Sequence, residues 1–339
     1  MNVQPAIVVL RALGLGDFLT AVPAYRAIAR AFPAHRRTLA APRAVHALVP
    51  LLGDVFAAVY DVAALGELPP AADGVELAIN LHGRGPQSHR RLLERHPQRL
   101  VAFANEAADI PLGGAPWVED AHEIERWCTM LAYHDIPADP HDLGIGVPGV
   151  ALPAGLHRAT VLHPGAATRA RRWPVERWVT VARACAAQGD RVVVTGAGDE
   201  SALTAEIVRR AGLPSLSDLG GRTSLRDLAA LVAHAERVLC GDTGIAHLAS
   251  AYATPSVVLF GPVSPAQWGP PRRARHRVLW AGATGDPQAT TIDRGLLHIE
   301  PSHVLEQIER LRSLARPHLR EGGEGRAKRV AATSSSAPR

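Results

Sequence analysis

Aromatic residues are scarce in this chain, at 4% of 339 residues, and Lys328 is its only lysine. Packing must therefore come from Ala, Val and Leu, which the 47% hydrophobic content supplies in quantity. Cysteine is as thinly spread. Cys128, Cys185 and Cys240 are odd in number, far apart and without a CxxC pair, which argues against both a disulfide framework and a zinc site. No apolar run approaches the ~20 residues of a membrane span. The opening "MNVQPAIVVL" lacks the basic start and cleavage site of a signal peptide and reads as a first strand, so the expected location is the cytoplasm. Several catalytic signatures are absent as well: P-loop, HExxH, GxSxG, and any DxD pair that would hold a divalent metal on a diphosphate.

The net charge of +5 points toward nucleic acid only until it is located. Six basic and two acidic residues lie from Arg316 onward, so the body of the chain is nearly neutral. A nucleic-acid partner is not expected. The low-complexity segment 317–339 is predicted to be a disordered tail, which at most brushes the anionic inner face of the cytoplasmic membrane.

What remains is strand–helix alternation in two halves. "AIVVL" (6–10) is a buried strand, and a helix running to about Phe32 follows, with Phe18, Val22, Tyr25, Ala29 and Phe32 on one face. "RTLAAP", "FAAVYDV", "ELAINL" and "RLVAFA" are further strands; "RAVHALVPLLG", "PQSHRRLLERH" and "AHEIERWCTMLAYHD" are helices. The Pro- and Gly-dense stretch 136–158 is the linker. Alternation then resumes with "ATVLHPG", "RVVVTG", "RVLCG", "SVVLFG" and "RVLW" as strands and a last helix at about 301–316. The pattern predicts two α/β domains with mainly parallel sheets, 1–150 and 151–316. Ligands of such sheets bind beyond the carboxyl ends of the strands, in the cleft where the two domains face each other.

Three loops carry chemistry. In "LGLGDFL", Gly14 and Gly16 allow a tight turn and close approach of backbone, but Leu19 fills the third glycine position of a dinucleotide fingerprint. Asp17 at the end of this turn is either a helix cap or a base aimed into a cleft. In "HPGAATRARRWPVERW", Arg169, Arg171 and Arg172 precede a helix opened by Trp173-Pro174, a place suited to an anion or simply to solvent. In "CGDTGIAHLASAYATPSVVLFGP", a strand ends in a polar turn and a helix follows with His247 in its first turns. Free N–H groups at Thr243 and Gly244 can bind phosphate there. Asp242 and Thr243 can hold a hydroxyl or cap the helix.

These loops, in this order over about residues 5–316, resemble glycosyltransferase family 9, which includes the lipopolysaccharide heptosyltransferases. "GDTGIAHLASAYATPSVVLFGP" follows the family segment almost throughout, from its D[ST]G-x-x-H start to its P-x-[VI]-x-x-[FY]-G end. The Trp-Pro of "RRWP" and the Gly-Asp of "LGLGDFL" fall where the family has them. The resemblance implies the GT-B architecture, with an acceptor-binding first domain and a donor-binding second one. It implies that Asp17 is the catalytic base, that Asp242, Thr243, Gly244 and His247 contact a nucleotide-diphosphate sugar such as ADP-heptose, and that Glu200 holds the nucleoside ribose. Arg171 stands where the family usually has a phosphate-binding lysine, so a planar fork replaces a point donor. Arg84, in the acceptor region, can meet acceptor anions. The implied reaction is inverting and metal-independent, needs no cofactor, and joins the sugar to a hydroxyl of a glycan, lipid or small molecule. A GT-B sugar-nucleotide epimerase and a non-catalytic nucleotide-sugar-binding protein are the rival readings.

Overall fold

The computed structural model describes residues 4–108 and 114–315, so the predicted tail, 317–339, lies outside the described residues. The first half runs β1 (Ala6–Leu10), α1 (Leu15–Thr20), α2 (Val22–Ala31), β2 (Arg36–Ala41), β3 (Ala58–Asp61), β4 (Leu77–Asn80), α3 (Gln87–Leu93), β5 (Arg99–Val101) and α4 (Glu123–Tyr133). Its strands pair in parallel in the order β3-β2-β1-β4-β5. β1 is central, and Ile7 to Leu10 are fully buried, as expected of a continuous apolar run covered on both faces.

The second half runs β6 (Thr160–His163), α5 (Val175–Ala187), β7 (Val192–Gly196), α6 (Ser201–Ala211), β8 (Asp218–Gly220), α7 (Leu225–Ala233), β9 (Arg237–Gly241), α8 (Gly244–Ala251), β10 (Ser256–Leu259), α9 (Pro265–Trp268), β11 (His276–Leu279), α10 (Arg294–His298) and α11 (Pro301–Ala315). These strands are also all parallel, in the order β11-β10-β9-β6-β7-β8. Helix starts are locally encoded: Ser224 and Asp227 cap α7 reciprocally, and Asp293 accepts from the Gly295 and Leu296 N–H groups at α10.

Each sheet reverses direction once, between β1 and β4 in the first and between β6 and β9 in the second. Crevices open at such switch points, outside the carboxyl ends of the strands. The loops that leave β1, β6 and β9 are the three singled out by sequence. One apolar cluster joins the halves, running from β1 through Phe18 and Leu48 to Ile245, Leu248 and Val258. Two α/β domains with parallel sheets facing a cleft are thus present. Among the described residues, no helix is long and apolar enough to cross a membrane.

Three local expectations give way. The helix predicted to run through Phe32 breaks at Ala21 into α1 and α2, because Pro23 has no N–H to continue the ladder. The segment 43–53 winds as a 3-10 helix over Arg43–Leu52, with Pro50 inside it. β8, three residues at the sheet edge, was not expected at all.

Candidate active site

Asp17 is not the N-cap residue of α1, although its carboxylate bonds the N–H of the residue that is. The cap of α1 is Gly14, with extended backbone, and Asp17 is the third residue of the helix. An acid in that first turn is favoured by the helix dipole. Its carboxylate lies by the N–H groups of Gly14 and Asp17, and its side chain remains 29% exposed. Burial pushes this carboxyl up, Arg11 pulls it down, and Glu123 pushes it up again; the balance lies above the ordinary aspartate value.

Glycine sets how near this helix comes to the second domain. A Cβ on Gly16 would stand 3.0 Å from the His247 ring, and one on Gly244 would stand 2.9 Å from the Leu15 side chain. α1 therefore meets the start of α8 nearly backbone to backbone, and Asp17 follows directly after that contact. His247 is buried, its ring 5.9 Å from that of Trp268. Burial, helped by the nearby His122, lowers its pKa to about 4, so the imidazole is neutral at pH 7.

Behind this contact a cavity of about 310 Å³ is lined by His163, Arg171, Arg172, Glu200, Thr243 and Gly244, among others. Arg171 arrives on a 3-10 turn after β6 and donates to the Asp242 carbonyl, 3.8 Å from the Asp242 carboxylate. Burial raises the Asp242 carboxyl against the pull of Arg171. Two buried polar atoms here have no partner, Arg171 Nε and Thr243 Oγ1. Thr243 is the cap residue of α8 yet makes no capping bond. The first N–H groups of α8 and these two atoms together form a donor-rich, anion-seeking floor. On the opposite wall, Glu200 accepts from the Ala197 N–H at 2.9 Å, and its carboxylate lies over Gly165, where any Cβ would collide with it. That wall accepts hydrogen bonds where the floor donates them.

Of the residues picked from sequence, Arg171, Glu200, Thr243 and Gly244 share the cavity, with Asp242 bound to Arg171. Asp17, Gly14, Gly16 and His247 gather at the α1–α8 contact beside it. Arg84 lies apart: it is 63% exposed and paired with Glu119 at 3.3 Å. Sequence reasoning missed Arg11, Glu123 and His163. Arg11 is wholly buried and binds both Asp17 and Glu123. His163 hydrogen-bonds Thr195 at 3.0 Å and sits close enough to Glu200 to feel its charge. Among the described residues, no group of three or more His, Cys, Asp or Glu side chains is placed to hold a metal ion.

The sequence profile of glycosyltransferase family 9 (heptosyltransferase) matches residues 115–293, more than half of the chain. The chain belongs to this family. Lipooligosaccharide heptosyltransferase 2 of Haemophilus influenzae is 29% identical over 154 residues, 42% of this chain and 43% of that protein. The chain thus matches less than half the length of this curated relative. The folds agree over far more. ADP-heptose lipopolysaccharide heptosyltransferase II of Escherichia coli superposes with a TM-score of 0.70 at 20% identity, over 92% of this chain and 100% of that one. The Escherichia coli heptosyltransferase WaaC, solved with ADP-2-deoxy-2-fluoro heptose, gives 0.62 at 18% identity, over 90% and 99%. Within the family, Arg171 and the α8 start belong to the profile-matched segment; Asp17 and Arg11 lie ahead of it.

Proposed function

We propose that this family 9 protein is an inverting, metal-independent glycosyltransferase that moves a heptose from an ADP-heptose-type donor to an acceptor hydroxyl. The observation that carries this reading is the α1–α8 contact, which sets a part-exposed carboxylate of one domain beside the anion-seeking helix start of the other. A protein that only binds a nucleotide sugar has use for the helix start and none for the carboxylate. The donor class follows from family membership and from WaaC, which was solved with an ADP-heptose analogue.

In this account the diphosphate rests on the N–H groups of Thr243 and Gly244, with Arg171 Nε and Thr243 Oγ1 gaining the partners they lack. Glu200 takes ribose hydroxyls. Neutral His247 donates one hydrogen bond to the sugar or its phosphate. The acceptor hydroxyl donates to Asp17 and attacks the anomeric carbon from the side opposite the phosphate. As the new C–O bond forms, the anomeric C–O bond breaks, the electron pair leaves with the diphosphate, and the proton passes to Asp17. A base of this kind contributes ~10²–10⁴-fold. Fixed donors under the departing charge supply the electrostatic part, in place of a divalent metal. Arg84, exposed and apart from the cavity, is free to meet an acceptor anion by exchanging its Glu119 partner, and catalysis would take place in the cytoplasm.

Asp17→Asn tests the assignment. Donor affinity by calorimetry is expected to stay within about threefold, while turnover falls by at least ~10²-fold. Full turnover in that variant would remove Asp17 as the base. Addition of EDTA is expected to leave the rate unchanged; restoration of an EDTA-stripped enzyme by Mg²⁺ alone would contradict the metal-free account.

A further inference from the structure

Arg11 follows directly on β1, and its side chain is fully buried. Every nitrogen of its guanidinium is committed. Nε donates to the Asp17 carbonyl at 2.9 Å, Nη1 donates to the Leu81 carbonyl, and Nη2 is shared among Glu123 Oε1 at 2.9 Å, Thr20 Oγ1 at 3.2 Å and Asp17 Oδ1 at 3.4 Å. The guanidinium lies 4.6 Å over the Trp127 ring, which closes its remaining face. Two carboxylates thus compete for one nitrogen, and they do not share it equally. Glu123, 112 residues away on α4, has the short bond, while Asp17 has one at the edge of hydrogen-bonding distance.

Glu123 is itself fixed. Oε1 also accepts from Trp127 Nε1 at 2.8 Å, and Oε2 accepts from Arg126 Nη1 at 2.8 Å. Arg126 stacks 4.2 Å from the Trp117 ring and bonds three carbonyls of the preceding loop, at Val118, Glu119 and Ala121. The Asp17 carboxylate, by contrast, is held by the long Arg11 bond and by the N–H groups of its own helix start, at Gly14 and Asp17, and its side chain stays 29% exposed.

We propose that Glu123 is a positioning residue for Asp17: by taking the short bond of Arg11 it keeps the guanidinium from closing on Asp17, and leaves that carboxylate free to accept a proton. Without the Glu123 charge, Arg11 turns fully onto Asp17 and makes it a poorer base. The charges agree with this division. Glu123 lies below its ordinary value, because Arg11, Trp127 and Arg126 outweigh its burial, whereas Asp17 lies above its own. Three other groups that face the cluster are shifted away from neutrality. Tyr25 from α2 is raised by burial beyond the usual phenol range. His82 from the loop after β4 and His247 from α8 are both lowered to about 4, chiefly by burial. Arg126 donates to Glu123 and Arg171 to the Asp242 carbonyl, and His122, next to Glu123, has its Nδ1 occupied by the Ile124 N–H and its Nε2 by the Gly269 carbonyl.

The inference rests on Asp17 as the base, but its test does not need turnover. In protein labelled with ¹³C at aspartate side-chain carboxyls, the Asp17 resonance is the one lost in Asp17→Asn, and its titration midpoint is read directly. Glu123→Gln is expected to lower that midpoint by about one pH unit, the scale of one nearby charge. Glu123→Asp, which keeps the charge, is expected to restore most of it. Arg126→Met, at the edge of the cluster, is expected to raise it, and serves if Glu123→Gln does not fold. A merely structural Glu123 would change melting temperature and leave all three midpoints where they were. That result, or a rise in Glu123→Gln, would overturn the proposal. Failure to find glycosyl transfer with any donor would sink the functional reading and leave this titration unaffected.

Discussion

His247 and Asp17 sit on facing helices and are perturbed in ways that complement each other. Burial keeps the imidazole uncharged, and it holds the carboxyl above its ordinary value. A neutral imidazole can donate one hydrogen bond to an anionic donor without forming an ion pair with Asp17, which would weaken the base. Imidazole ¹⁵N shifts of His247 are therefore expected to stay constant from about pH 8 to 5, where an ordinary histidine titrates. A midpoint near 6.5 would mean that the site is wetter than the structure implies. At this scale the sequence was partly legible. Asp17, Arg171 and the 242–247 turn could be picked out because each stands in a recognisable loop after a buried strand. Glu123 could not, since an acid at a helix start is commonplace and its partner is 112 residues away. Arg11 left a fainter trace, a charged residue directly after a fully apolar strand.

Elements bring those residues together, and the decisive contact is between two helices that begin with glycine-bearing turns. The missing side chains at Gly16 and Gly244 are what allow it. Gly244→Ala would drive a methyl group into Leu15, so it is expected to cost about 1–3 kcal/mol of stability, typical of overpacking. It should also reduce turnover by spreading Asp17 and α8 apart. Gly14→Ala meets nothing nearer than 3.9 Å and keeps an allowed backbone, so denaturation should show a loss below ~1 kcal/mol. Equal losses in the two variants would deny the contact its role. The strands themselves were readable, because a central parallel strand is apolar throughout and its turns are rich in Gly and Pro. β8 escaped since three residues carry no period. The α1–α2 break was written in Pro23 but hidden beneath a helical pattern that continues on both sides of it.

Over the whole molecule, buried and half-buried histidines tie stability to pH. His82, His247 and His276 are each lowered to about 4, mainly by burial, and His89 and His163 are lowered too. Between about pH 6.5 and 4 the unfolded chain binds protons at these sites and the folded chain does not. Stability is therefore fully present above pH 6.5 and drains as pH falls toward 4. The first calorimetric transition is expected to drop by about 5 °C or more between pH 7 and 5.5. A flat profile across that range would mean these histidines accept protons without unfolding.

The switch points of the two parallel sheets carry the loops of the α1–α8 contact, and donor and base are required to meet beside it. The direct measurement is a crystal structure of Asp17→Asn soaked with ADP-heptose. The account predicts diphosphate on the Thr243 and Gly244 N–H groups and beside Arg171. The anomeric carbon should then be one acceptor hydroxyl away from residue 17. Donor bound instead in the larger groove of about 880 Å³ lined by His122, Pro271 and Trp280, with residue 17 out of its reach, would contradict it.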